Sequence, residues 1–272
     1  MYKFIIIILV LSIIYYFNPR ELFYNTSNFE ITCPDDKEHC KDNLINNYIN
    51  NYNNIDIYVI SLRHKERLNN IEIQKNKINI NISNFMIYDA VNGNNLDLNQ
   101  LVESNLLSEI FMKGNEIRKR EIGCYLSHYN IYNKIKETNK NGYSIIFEDD
   151  FILEIDNFIE EINILLNDLK NKNIDFDLLF LGNLNNNHNE HVLNNVYTIN
   201  NNELLIGCYS YLINNKNINK IIENTNFIDM PIDTKLNNLS KSNKINIMLL
   251  YPVIVNPYGS SYSTIVDNKT ND

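Results

Sequence analysis

Three acids stand in a row at the end of the stretch SIIFEDD (144–150): Glu148, Asp149 and Asp150. The residues before them read as a strand, and nothing basic lies close by in sequence. Two like charges about 4 Å apart repel by roughly 4 kcal/mol at an effective dielectric of about 20. Such acids stay ionised together only beside solvent, a base or a cation. In an extended segment Glu148 and Asp150 point to one face and Asp149 to the other, so two carboxylates can approach one hard cation from the same side. Carboxylate oxygens together with substrate phosphates are what Mg²⁺ or Mn²⁺ takes. Alone, the triplet also fits a solvated turn. A helix cap fits less well, because the helix-start residues Asp156 and Asn157 come later.

Four other segments carry groups of chemical interest. VISLRHKER (59–67) is a strand followed by Arg63, His64 and Arg67, cations that could neutralise a phosphate or simply face solvent. EIGCYLSH (121–128) puts Ser127 and His128 on one helix, with Gly123 allowing a close approach. A lone His there is as a rule a satisfied structural residue. PID (231–233) sets Asp233 at a helix start, where an acid commonly does no more than complement the dipole. SSYSTI (260–265) is polar and says nothing by itself.

The elements that must position these groups alternate in type. IDIYVISL (55–62) is a β-branched apolar run of strand length, HKERLNNIEIQKNKI (64–78) a helix, and NFMIYDAV (84–91) a second strand closed by the Asn92-Gly93 turn. Helices are expected over 96–107 and 120–137, and strands on each side of the acids. A further helix should be capped by Asp156 or Asn157, with Glu160 completing a box with Asn157. FDLLFLG (176–182) is a strand and 183–195 a polar loop long enough to be mobile. Strands over VYTIN, 204–212 and 245–255 alternate with helices over KNINKIIENT and 231–241, the latter opened by Pro231. Strand–helix alternation predicts an α/β sandwich with a largely parallel sheet. Ligands then bind beyond the carboxyl ends of strands, where SIIFEDD places its acids.

At 272 residues and 44% hydrophobic content, the chain can build one sizeable core. A net charge of -9 argues against a nucleic-acid partner, while a nucleotide held through a metal stays open. Residues 4–17 are uncharged and follow Lys3; an uncleaved signal-anchor is favoured over a removed signal peptide, since no small-x-small pattern follows. Residues 18–54 read as a polar stem, and 55–272 as the folded domain. Cys33 and Cys40 could pair in an oxidising compartment, whereas Cys124 and Cys208 sit in apolar segments as small core residues. Asn-X-Ser/Thr triplets at Asn25, Asn81, Asn238 and Asn268 carry little weight in so Asn-rich a chain.

The order VISLRHKER, FMIYDAVNG, EIGCYLSH, IIFEDD, GCYSYLI, PID, SSYSTI resembles glycosyltransferase family 25, over about residues 55–265. GCYLSH and FEDD are its specific pieces. The family includes bacterial lipooligosaccharide galactosyltransferases and procollagen galactosyltransferase-like domains. The resemblance implies a GT-A-like (Rossmann-like) three-layer α/β fold with a mixed, largely parallel sheet. It implies a UDP-sugar donor, a glycan or protein hydroxyl as acceptor, a divalent metal, usually Mn²⁺, and inversion at the sugar carbon. Asp150, Glu148 and Asp149 become the expected metal contacts, and Ser61, Arg63, Arg67 and Ser127 line the donor. Asp233 is the expected base, with His128 second. The anchor would leave the domain lumenal in the secretory pathway. His64, Lys65 and Arg120 depart from the family's common residues. The procollagen enzymes have further domains and an ER-retention tail, whereas this sequence reads as one catalytic unit and ends NKTND, so collagen is not the expected acceptor. Two rivals are an anchored glycan-binding relative without transfer activity and a metal-dependent phosphoesterase. The second normally needs more His ligands than the 5 histidines here readily supply.

Overall fold

The computed structural model describes residues 55–78, 85–113, 116–138, 141–185, 188–199 and 204–258. The apolar segment 4–17, the stem 18–54 with Cys33 and Cys40, and SSYSTI (260–265) lie outside them. No described helix is long and apolar enough to cross a membrane. The strands are β1 (Ile55–Ser61), β2 (Phe85–Asp89), β3 (Tyr143–Glu148), β4 (Phe151–Leu153), β5 (Leu178–Phe180), β6 (His188–Leu193), β7 (Val196–Ile199), β8 (Ser210–Asn214), β9 (Ile247–Leu250) and β10 (Val255–Pro257). The α-helices are α1 (Lys65–Ile78), α2 (Leu98–Glu103), α3 (Glu109–Met112), α4 (Glu116–Thr138), α5 (Phe158–Asn171), α6 (Ile218–Thr225) and α7 (Ile232–Lys241).

Eight strands form one sheet in the order β2-β1-β3-β8-β5-β9-β7-β6, and β4 pairs with β10 in a small second sheet. β1 runs parallel to β2 and β3, and β5 parallel to β9; β8 is antiparallel to both β3 and β5. With β7 antiparallel to β9 and to β6, all strands of the eight-stranded sheet but β7 and β8 share one direction. The expected largely parallel sheet is therefore present in strand direction, though β8 interrupts it. All seven residues of β1 are buried, as a strand covered on both faces requires. α1 and α5 pack on one another, α4, α6 and α7 do the same, and both α1 and α4 touch β1.

Local chemistry explains the elements. α5 buries Phe158, Ile159, Ile162, Leu165, Leu166 and Leu169, a stripe at helical spacing. α4 buries Ile122, Tyr125, His128, Tyr132 and Ile135 along one face. Three helices end in the same way. Asn105, Asn173 and Asn243 adopt positive φ (57°, 54° and 54°). The amides after them, Leu106, Ile174 and Lys244, bond back to the carbonyls of Leu101, Leu169 and Leu239. This is a Schellman closure with Asn in the place glycine commonly holds, in a chain with only 7 glycines. The Asn-rich composition thus terminates helices.

Four expectations are corrected. Asn157 stands before α5 in a left-handed conformation (φ 55°) and makes no side-chain cap bond, so no capping box forms. The stretch 183–195 is not simply a loop: it contains β6, paired with β7. The strand expected over 204–212 begins only at Ser210. Before it, Gly207 takes φ 86° and donates its amide to Asp233 Oδ2 at 3.2 Å, turning the chain out of the ladder. The strand expected over 245–255 splits into β9 and β10, with Pro252, which has no N–H for a ladder, between them.

Candidate active site

The carboxyl ends of β1 and β3 lie side by side, Ile60 facing Glu148 in register. Ser61, the last residue of β1, is buried. Its hydroxyl donates to Asp149 Oδ2 at 2.7 Å and accepts the Arg63 amide at 2.9 Å. The second bond follows from the turn at Arg63, whose φ of 61° folds the chain back. α1 then brings Arg67 over the acids: Nε lies 3.6 Å from Asp149 Oδ1 and Nη1 3.4 Å from Asp150 Oδ2. The same helix fastens the acidic turn. Asn70 donates to the carbonyls of Asp149 and Phe151, each at 3.0 Å. Gln74 Oε1 accepts the Leu153 amide at 3.1 Å. Below the turn, Phe147 stacks on Phe151 at 4.1 Å between ring centres.

α4 forms the opposite wall. Gly123 permits its approach: a Cβ there would lie 2.6 Å from the Val91 carbonyl and 2.8 Å from the Gly93 nitrogen. Ser127 ties the same junction, accepting the Val91 amide at 2.8 Å and donating to the Gly123 carbonyl at 2.7 Å. His128 is fully buried, its Nδ1 2.7 Å from the Tyr211 hydroxyl and its Nε2 3.3 Å from Glu148 Oε1. Tyr211 in turn meets the Tyr132 hydroxyl at 2.8 Å. Cys124, one turn before His128, points its Sγ at Glu148 Oε1 from 3.7 Å.

Between these walls lies a cavity of about 330 Å³, bounded by Ser61, His64 and Arg67 on one side, Asn92 to Asn94 above, and Arg120, Cys124, Ser127 and His128 on the other. Glu148 and Asp149 form its acidic floor. Burial, then the neighbouring charge of Glu148, push Asp150 up to about 7, with Arg67 pulling the other way. Burial likewise raises Asp149, against the Ser61 hydrogen bond and Arg67. Burial raises the Cys124 thiol, followed by the charges of Glu148 and Asp233. One Asp150 oxygen, Oδ1, is buried without a hydrogen-bond partner among the described residues.

The structure therefore gathers Ser61, Arg67, Ser127, His128, Glu148 and Asp149 around one cavity, with Asp150 directly behind on Arg67. The three acids divide: Glu148 faces α4, whereas Asp149 and Asp150 share Arg67 on the α1 side. Arg63 turns away and pairs with exposed Asp89 at the end of β2. Asp233 does not line the cavity; in the first turn of α7 it accepts the neighbouring Thr234 amide (2.7 Å) and the Gly207 amide. Its charge nonetheless reaches Cys124 and Cys208. Sequence reasoning missed Cys124, taken as a core residue, and the supports Asn70, Gln74 and Tyr211. The one available signal for His128's partners was its place in an apolar stripe, four residues before Tyr132, where an unpaired imidazole would be costly.

The sequence profile described as Glycosyltransferase family 25 (LPS biosynthesis protein) matches residues 54–236, a span that holds every site residue from Ser61 to Asp233. Procollagen galactosyltransferase 1-A of Xenopus laevis is 33% identical over 131 residues, 47% of this chain and 21% of that protein. Over 71 residues the chain is 37% identical to the probable inactive glycosyltransferase 25 family member 3 of Rattus norvegicus, covering 25% of this chain and 12% of that one. The chain thus spans about a fifth or less of the length of these relatives. Among solved structures, A197 from STIV is similar at a TM-score of 0.38 and 11% identity, over 74% of this chain and 82% of that one, too slight a likeness to bear on function.

Proposed function

Because the chain belongs to glycosyltransferase family 25, we propose that it transfers a hexose, galactose favoured, from a UDP-sugar to a hydroxyl of a glycan or glycoprotein. The observation that carries this reading is the meeting of the β1 and β3 ends in one cavity, where Glu148 and Asp149 form the floor and Arg67 bridges Asp149 to Asp150 directly behind it. A ligand cavity at the carboxyl ends of a mixed sheet suits the GT-A-type arrangement. The names of the curated relatives support galactosyl transfer as the chemistry to test first.

The residues fit a divalent cation. Asp150 offers a buried oxygen with no hydrogen-bond partner among the described residues, and its carboxyl is held up to about 7 by burial and by Glu148, a tension that a nearby cation relieves. Asp150, Glu148 and Asp149 would hold Mn²⁺ or Mg²⁺, which supplies positive charge to the leaving diphosphate. The chain's own residues do the rest. Ser61 orients Asp149, and Arg67 keeps both aspartates in place while presenting its guanidinium to the diphosphate. Ser127 fixes the Val91–Gly93 rim against α4. Arg63, engaged with Asp89 at the outer edge, meets the nucleoside end of the donor. His128, buried with both ring nitrogens engaged, positions Glu148. The transition state has oxocarbenium-ion character, and inversion requires a base on the acceptor hydroxyl. The family resemblance gives that role to Asp233, which in this structure accepts the Thr234 and Gly207 amides outside the cavity lining. Anchorage through residues 4–17, with the domain lumenal, belongs to the same proposal.

The similarity to a relative named as probably inactive favours one alternative, a glycan-binding protein without transfer. A donor screen separates the two. Release of UDP from a panel of UDP-sugars is measured with Mn²⁺ and a hydroxyl acceptor. Release from UDP-galactose above other donors is expected; no release from any donor overturns the transferase reading.

A further inference from the structure

We propose that Cys124, His128 and Glu148 form a second cation site, for a borderline-soft divalent ion of the zinc class, on the α4 wall of the cavity, with Glu148 common to it and to the acidic turn. The three side chains offer one sulfur, one nitrogen and one oxygen, and these atoms lie within 4.8 Å of one another. Cys124 and His128 are i and i+4 on α4, so both project from one helix face, and Glu148 reaches them from the end of β3.

The spacings fit a shared ion better than a pair of hydrogen bonds. With Zn–N and Zn–O bonds of about 2.0–2.1 Å and a Zn–S bond of about 2.3 Å, a tetrahedral ion sets its N and O ligands about 3.4 Å apart and its S and O ligands about 3.6 Å apart. The structure has His128 Nε2 to Glu148 Oε1 at 3.3 Å and Cys124 Sγ to the same oxygen at 3.7 Å. A charge-assisted N–H···O bond would close to about 2.7–2.9 Å. Tyr211 supplies the outer support such sites have: its hydroxyl lies 2.7 Å from His128 Nδ1 and is itself held by Tyr132, so Nδ1 can donate and leave the Nε2 lone pair facing Glu148. All three ligands line the cavity, so a fourth position opens onto it, as three-ligand zinc sites have for water or substrate.

The donor set also sets the selectivity. A sulfur ligand disfavours Mg²⁺ and favours zinc or cobalt, unlike the oxygen pair Asp149 and Asp150 across the turn. The site does not depend on the transferase reading, for a protein without transfer activity would keep it.

The test is a Co²⁺ titration of the metal-free protein, followed by absorption with no nucleotide present. We expect a thiolate-to-cobalt charge-transfer band in the near ultraviolet at one equivalent, displaced by Zn²⁺ but not by excess Mg²⁺. Cys124→Ser should abolish the band, Tyr211→Phe should weaken cobalt binding by about 10–100-fold, and Asp150→Asn and Cys208→Ser should leave it. Absence of the band, its persistence in Cys124→Ser, or its loss in Cys208→Ser overturns the proposal. Should Cys124→Ser fail to fold, X-ray absorption of the zinc-loaded unmodified protein decides. One sulfur among nitrogen and oxygen neighbours supports the site, whereas no sulfur or more than one refutes it.

Discussion

Asp150 combines two opposed demands. Its carboxyl is buried beside Glu148, which pushes its pKa up to about 7, yet it sits 3.4 Å from Arg67 and keeps one oxygen unpartnered among the described residues. Ionising it in the folded, metal-free protein is unfavourable. Asp150→Asn removes that penalty while keeping shape. Its metal-free thermal midpoint at pH 8 is therefore expected to exceed that of the parent, by about 2–4 °C for each kcal/mol relieved, in a differential scanning measurement. Ser127 stands for a different kind of residue, one whose placement at a cavity could be mistaken for chemistry. Both of its hydrogen bonds go to backbone, at Val91 and Gly123. Ser127→Ala leaves the Val91 amide without that acceptor and should cost about 1–3 kcal/mol in urea unfolding. A loss of activity with unchanged stability would show instead that its hydroxyl acts on substrate.

Helix ends and helix faces decide how the site is held. Asn173 closes α5 in a left-handed conformation, with Ile174 bonding back to Leu169 at 2.9 Å. Asn173→Ala places a Cβ-bearing residue without Asn's local hydrogen bonding at that φ and should destabilise by about 1 kcal/mol, while Asn173→Gly should be neutral or stabilising; equilibrium denaturation distinguishes them. The apolar stretches 57–60 of β1 and 145–147 of β3 made those strands legible in the sequence, as did the acids at the end of β3. What stayed hidden depends on register between distant segments. Asn70 and Gln74 read as the polar face of α1, because nothing local says that this face meets the backbone of the acidic turn 79 or 81 residues away. Cys124 read as a small core residue because its partner, Glu148, comes from another element. The expected cap at Asn157 failed because its backbone went left-handed, a choice that an Asn makes without a sequence mark. Asp233 was legible as a helix-start acid, but its place outside the cavity lining, bonded to Gly207, was not.

At the scale of the molecule, α1 and α4 meet the ends of β1 and β3 around one cavity, and the buried acids there couple folding to pH. An unfolded Asp titrates near about 4, whereas folded Asp150 retains its proton to about 7. Between those values the folded state binds more protons than the unfolded, so metal-free stability should fall as pH rises from about 4 to about 7 and level off above. If Mn²⁺ binds the ionised acids of the folded state as proposed, saturating Mn²⁺ should remove that fall. Urea unfolding across this range, with and without Mn²⁺, measures it; the same pH slope in both series would show that the ion does not engage these acids. The central claim is that the acids ending β3 present a divalent ion to the diphosphate of a nucleotide sugar. Isothermal titration of UDP into the protein, with Mn²⁺ or with chelator, tests it most directly. The account predicts binding that requires Mn²⁺ and weakens at least about 100-fold in Asp150→Asn, or about 2.7 kcal/mol. Equal UDP affinity in chelator, or an unchanged affinity in Asp150→Asn, would contradict it.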